Sequence, residues 1–142
     1  MGSTKPLDAF TFFFRATEHG HFCAHSYQYN EERSTWVIET TPQTWEATGF
    51  AEMSEEESAR YLEGVFSDCL DNHGLITNRS IWRNFPVIAC ENWSHGKMVL
   101  LGDAKATAHW SIGSGTKLAM ESAIALSDQV VAHPGNVPAI QK

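Results

Sequence analysis

Hydrophobic and polar residues alternate along the first forty or so positions with the period of two that marks extended strands. Three runs carry this pattern: AFTFFFRAT at 9–17, HFCAHSYQYN at 21–30 and STWVIETT at 34–41. Glu18-His19-Gly20 forms the first connection and Asn30 to Arg33 the second, both short enough for an antiparallel meander. Alternation in the second run puts His21, Cys23, His25, Tyr27 and Tyr29 on one face and Phe22, Ala24, Ser26 and Gln28 on the other. The first of these faces reads as a mixed polar and aromatic wall.

The period then lengthens. MSEEESARYLEGVFSDCLDNHG, residues 53–74, predicts a helix with Ser54 as N-cap, Glu57 completing a capping box and acidic residues matched to the N-terminal dipole. Tyr61, Leu62, Val65, Phe66, Cys69 and Leu70 form its apolar stripe, and Gly74 is placed to end it. SIWRNFPVIACENW at 80–93 reads as a returning strand in which Pro86 marks an edge or a bulge. Lys97 to Leu101 reads as a short strand of the fully buried kind, Ser114 to Val131 as a last helix, and 133–142 as an irregular tail.

Composition narrows the function. The chain has 142 residues, and 10 Lys plus Arg stand against 17 Asp plus Glu, a formal net charge of −7. With no basic run, nucleic acid and anionic membrane are poor partners. No apolar stretch approaches a membrane span and the first residues lack the apolar core of a signal peptide, so the expected location is cytoplasmic. Cys23, Cys69 and Cys90 show no Cys-x-x-Cys spacing and read as reduced packing residues. His19, His21 and His25 share a strand face, but His21 and His25 are about 13 Å apart along a strand, too far for one ion without help from elsewhere in the chain, and no metal is expected.

The chemistry concentrates in LLGDAKATAHWSIGSGTKLAME, residues 100–121. Thr116 precedes Lys117, the reverse of the Lys-Ser/Thr order of a phosphate-binding P-loop. What remains is a strand, a glycine-bearing loop and a helix whose first N–H groups and positive dipole end face what the loop encloses, which favours an electron-rich group.

This stretch resembles the second flavin-contacting motif, Gly-Asp followed by a glycine-opened helix, of the FAD-dependent aromatic hydroxylases of the para-hydroxybenzoate hydroxylase fold. TFFFRATEHGHFCAHSYQY, STWVIET, MSEEESARYLEGVF and RNFP are together similar to the branch of salicylyl-CoA and anthraniloyl-CoA hydroxylases and the tryptophan-pathway hydroxylases of bisindole pigment synthesis. The resemblance runs over residues 7–131. It implies an α+β chain: an antiparallel substrate-domain sheet with a packed helix at 7–96, then at 97–132 the last strand and helix of an FAD-binding α/β domain.

By position, the resemblance implies that Gly102 and Asp103, then Gly113, Ser114, Gly115, Thr116 and Lys117, contact the flavin. Asp103 would accept hydrogen bonds from ribityl hydroxyls, and the helix N-terminus would favour negative charge on the reduced isoalloxazine. His21, Cys23, His25, Tyr27, Trp36, Asn84, Phe85 and His109 are the implied substrate-pocket residues, with no acid or base assigned among them. The implied activity is that of an oxidoreductase, a monooxygenase: NAD(P)H reduces FAD, a C4a-hydroperoxide forms with O2, and a small activated aromatic, an aryl-CoA or indole, is hydroxylated.

The family's strand, Gly-x-Gly-x-x-Gly and helix have no counterpart before Phe10; Lys105-Ala106 replace the usual Ala-His after Gly-Asp-Ala, and Ser122 stands where an Asp commonly follows the helical Glu. The expectation is therefore a hydroxylase fragment that self-associates or binds a partner chain along the apolar edge at 98–101. The alternative expectation is a flavin-free binding or assembly module derived from the same fold.

Overall fold

A computed structural model of the protein describes residues 1–140 and is of the α+β class, with an antiparallel sheet and several helices. Compactness divides the chain between Trp82 and Arg83, whereas the sequence reading set its boundary at 96/97.

In the first unit, β1 (Gly2–Ser3), β2 (Thr11–Thr17), β3 (Gly20–Asn30), β4 (Arg33–Thr40) and β5 (Leu75–Ile76) form a five-stranded sheet in the order β2-β3-β4-β1-β5. The β2–β4 meander is the one the alternation predicts. β1 and β5, beyond β4, add what the pattern leaves out: just before β1, the Met1 carbonyl accepts from the Trp36 N–H at 2.9 Å and its amine donates to the Trp36 carbonyl at 3.0 Å.

α1 (Pro42–Thr48) follows β4, with the Thr41 side chain accepting from the Thr44 N–H, Pro42 in the first turn and Gly49 left-handed at the C-terminal end. α2 (Glu55–Val65) starts on the expected box, the Glu57 N–H donating to Ser54 Oγ at 3.1 Å and the Ser54 N–H to Glu57 Oε2 at 2.8 Å. The single helix expected over 53–74 breaks at Phe66 (φ −108°, ψ 21°) and resumes as α3 (Ser67–Leu70). Left-handed Asp71 and Asn72 end it, not Gly74.

These helices cover one face of the sheet. Phe22, Ala24 and Trp36 from the strands meet Phe50, Leu62, Phe66 and Leu70 in the core. Phe13 stacks on Trp36 with centroids 5.1 Å apart, and Phe66 meets the indole edge-on at 6.0 Å. Burying each such side chain contributes roughly 1.5–3 kcal/mol.

The second unit begins at Arg83 and differs from expectation. Residues 83–93 form no strand beyond an isolated bridge between Ala89 and Ala106, and 80–82 are likewise irregular. Pro86 has no N–H to give, and the bonds of this segment go instead to the loop at 105–107: Cys90 N–H to the Lys105 carbonyl at 2.9 Å and Thr107 N–H to the Ile88 carbonyl at 2.8 Å.

The strand expected at 97–101 reduces to β7 (Met98–Val99), paired with β6 (Ser94–His95) in a hairpin turned at Gly96-Lys97, and Met98 is exposed, not buried. α4 (Gly115–Ala132) matches the last predicted helix. The tail is not wholly irregular, since α5 (Val137–Ile140) forms one turn; 141–142, the remainder of the predicted tail, lie outside the described residues.

Candidate functional site

Residues singled out from the sequence gather in two places, one in each unit. In the first, strand alternation turns one face of the sheet to the core and the other outward. Register pairs Cys23 with Phe14 on β2 and with Glu39 on β4, and His25 with Phe12 and Val37, so these side chains share the outward face. Phe10 and Tyr27 stack at 5.7 Å, Phe10 and Phe12 meet edge-on at 5.1 Å, and Phe12 and Phe14 stack at 6.3 Å. Phe14 is 69% and Phe12 46% exposed, an aromatic surface much larger than scattered single residues would give.

Within this apolar surface lies one polar corner. His25, only 5% exposed, bonds through Nε2 to Glu39 Oε1 at 2.8 Å and meets Phe12 edge-on at 4.6 Å. Burial, with the nearby Glu39 charge as a smaller cause, pushes the Cys23 thiol up to about 11, so it is protonated at neutral pH. A flat apolar wall with a single hydrogen-bonding corner is suited to hold a planar ring and fix its rotation.

Of the expected wall residues, His21, Cys23, His25 and Tyr27 are on this face together, His21 exposed at its edge. Trp36 is not among them. Its register partner is Ser26, it faces the core, and it is fully buried. Sequence reasoning missed Phe12, Phe14 and Glu39, although alternation in FTFFF put Phe12 and Phe14 on one side; Glu39 needed the β3–β4 register.

The second place is built on the glycine loop. Gly102 is left-handed (φ 55°), and a Cβ there would lie 3.1 Å from the Ala119 Cβ, so the loop reaches α4 only because the residue is glycine. This seats Asp103, in a 3₁₀ turn over Gly102–Ala104, in a groove of about 660 Å³. Phe85 and Trp110, with centroids 5.8 Å apart, and the small residues Ala108, Gly113, Gly115 and Ala119 line it, together with Thr116. A Cβ on Gly113 or Gly115 would meet nothing within 4 Å.

Ser114 holds the N-cap position of α4 and makes no side-chain cap bond, so that end keeps donor N–H groups and the positive end of the dipole. Asp103, Phe85, Gly113, Gly115 and Thr116 are thus brought together. Gly102 lines an adjoining pocket of about 150 Å³ with Asp103 and Ser122. Lys117 is drawn aside, its Nζ 2.6 Å from Glu121. Asn84 is exposed, and His109 bonds Ser111 Oγ through Nδ1 at 2.6 Å while stacking on Trp110.

No family model matches the chain. It is 40% identical to a salicyloyl-CoA 5-hydroxylase of a Streptomyces species, the alignment covering 97% of this chain and 28% of that enzyme. It is 37% identical to the protodeoxyviolaceinate monooxygenase of Chromobacterium violaceum, covering 99% of this chain and 38% of the relative. The 3-hydroxy-4-methyl-anthranilyl-(aryl-carrier protein) 5-monooxygenase of Streptosporangium sibiricum is also 37% identical, with 94% and 34% covered. The chain therefore spans about a third of the length of the curated relatives it matches.

Proposed function

From the premise that the chain is similar over nearly its whole length to enzymes named as aromatic monooxygenases, we propose that it serves a flavin-dependent monooxygenase acting on a small activated aromatic ring. The observation that carries this reading is the groove in which Asp103, the aromatic rings of Phe85 and Trp110 and the N-terminal end of α4 converge. Its residues fit an isoalloxazine and its polyol chain: flat apolar walls, open space above two glycines, one carboxylate acceptor and helix donors.

In this reading the Asp103 carboxylate accepts from flavin hydroxyls, and the first N–H groups of α4 favour negative charge on the pyrimidine end of the ring system. Phe85 and Trp110 exclude water from it. On the sheet, Phe12 and Phe14 support the substrate ring, and the His25–Glu39 pair orients a hydroxyl or ring amine of an aryl thioester or indole-type substrate. FAD, reduced by NAD(P)H, supplies the activation of O2 and the transfer of one oxygen atom to the ring.

The test is the visible absorption of the purified chain before and after FAD is added and unbound flavin removed. Retained flavin bands are expected, with affinity lowered about tenfold or more by Asp103→Ala, since a hydrogen bond to a charged group contributes about 1.5–3 kcal/mol. A colourless chain, or Asp103→Ala binding flavin as well as the parent, overturns the assignment of the groove.

A further inference from the structure

Cys23, His25 and Glu39 bring a thiol, an imidazole and a carboxylate to one point on the outward face of the sheet. Spacing along β3 alone cannot collect ligands, because same-face neighbours are about 6.6 Å apart. Pairing across strands can: Cys23 lies opposite Glu39, His25 is the next same-face residue, and the donor atoms of all three lie within 4.8 Å of one another. Cys23 and His25 are buried, and the Glu39 side chain is 28% exposed.

The geometry points to a site for a borderline-soft divalent cation, Zn2+, held by Cys23 Sγ, a His25 ring nitrogen and a Glu39 carboxylate oxygen, with the fourth position open to water or another ligand. The donor set selects the ion: thiolate and imidazole suit Zn2+, while Mg2+ and Ca2+ require shells of oxygen. Charge is balanced as well, since a thiolate and a carboxylate neutralise a dication, which lowers the cost of holding these groups out of water.

Bonds of about 2.0–2.3 Å in a tetrahedron set donor pairs about 3.3–3.8 Å apart. The cluster thus tightens by at most roughly 1 Å at its widest pair, a change within reach of side-chain rotation, while the 2.8 Å contact between His25 and Glu39 opens. On binding, the Cys23 S–H bond breaks, the Zn–S bond forms and the proton leaves to solvent; no electron changes hands. This inference does not rest on the flavin groove, and a bound ion would replace the direct His25–Glu39 contact as the polar group facing a substrate on this sheet.

Co2+, which reports thiolate ligation spectroscopically, is the probe. Titrated into the full, reduced, metal-free chain, it is expected to saturate at one equivalent with a sulfur-to-cobalt charge-transfer band, and Zn2+ should abolish that band by displacement. Cys23→Ser should remove the band. Glu39→Gln should keep it and weaken affinity by about tenfold or more, a scale on which even outer-shell partners of a metal act. Cys90→Ser, which removes an exposed thiol of the other unit, should change nothing.

No thiolate band in a chain with native circular dichroism overturns the proposal, as does a band that survives Cys23→Ser or vanishes with Cys90→Ser. If Cys23→Ser loses the native fold, Glu39→Gln and His25→Gln decide, and unchanged affinity in both overturns it.

Discussion

Arg15 and Asp68 show what a single side-chain pair contributes and when. Arg15 Nε and Nη2 donate to the two carboxylate oxygens of Asp68 at 3.0 and 2.8 Å, joining β2 to α3. The guanidinium bond is the main cause holding the Asp68 carboxyl below its ordinary 3.8. A lowered carboxyl stabilises the folded state fully above the unfolded value, and that contribution fades as pH falls through the lower folded value. The urea midpoint of the parent should therefore exceed that of Asp68→Asn by a constant small margin from pH 5 to 8, and the margin should close below about pH 3.8. The pair is exposed, so solvent screens it and the margin is modest. At this scale the sequence was legible where parity sufficed: His21, Cys23, His25 and Tyr27 share a face as alternation requires. Trp36 and Glu39 were not, because their faces are set by the β3–β4 register, which no local pattern states.

Elements were legible where a local signal names its own partner. Ser54 and Glu57 satisfy each other's backbone, and α2 begins where they say. Replacing Ser54 by Ala should lower unfolding stability by about 1 kcal/mol, read from chemical denaturation, while Ser54→Asp should restore most of it. α1 carried comparable signals, Thr41 as N-cap, Pro42 behind it and Gly49 as C-cap, and could have been read from them. The segment 80–93 misled for the opposite reason. Ile81, Trp82, Phe85, Val87 and Ile88 have strand propensity, but a strand exists only with a neighbour to bond, and here the bonds run to single points on a loop. β7 is short for the same reason: its bonds are to β6 across a tight hairpin, with Met98 exposed and Val99 only half-buried.

Across the whole molecule, packing is uneven. The buried apolar cluster draws only on residues from Phe22 to Leu75, and among the described residues from Arg83 onward none is buried. Stability should follow this division. Hydrogen exchange followed by mass spectrometry should show β2–β4 and α2 protected to the level of global unfolding, with exchange between 83 and 140 much faster. A chain ending at Trp82 should keep the main thermal transition; loss of that transition would show that the second unit contributes to the first unit's core. The broad class, α+β with an antiparallel sheet, was legible because three period-two runs joined by short turns precede the first helical period. The division at Trp82 was not, since it follows from which apolar residues find cover.

The meander of β2, β3 and β4 gives its two faces to different tasks, and successive residues answer to different demands. On β3 the even-numbered positions Phe22 and Ala24 are fixed by the requirement to fill a core, while the odd-numbered His21, Cys23, His25 and Tyr27 face outward and carry little of it. A lineage could rewrite the odd positions one at a time, changing which ligand the sheet receives, without reopening the problem of how the chain folds.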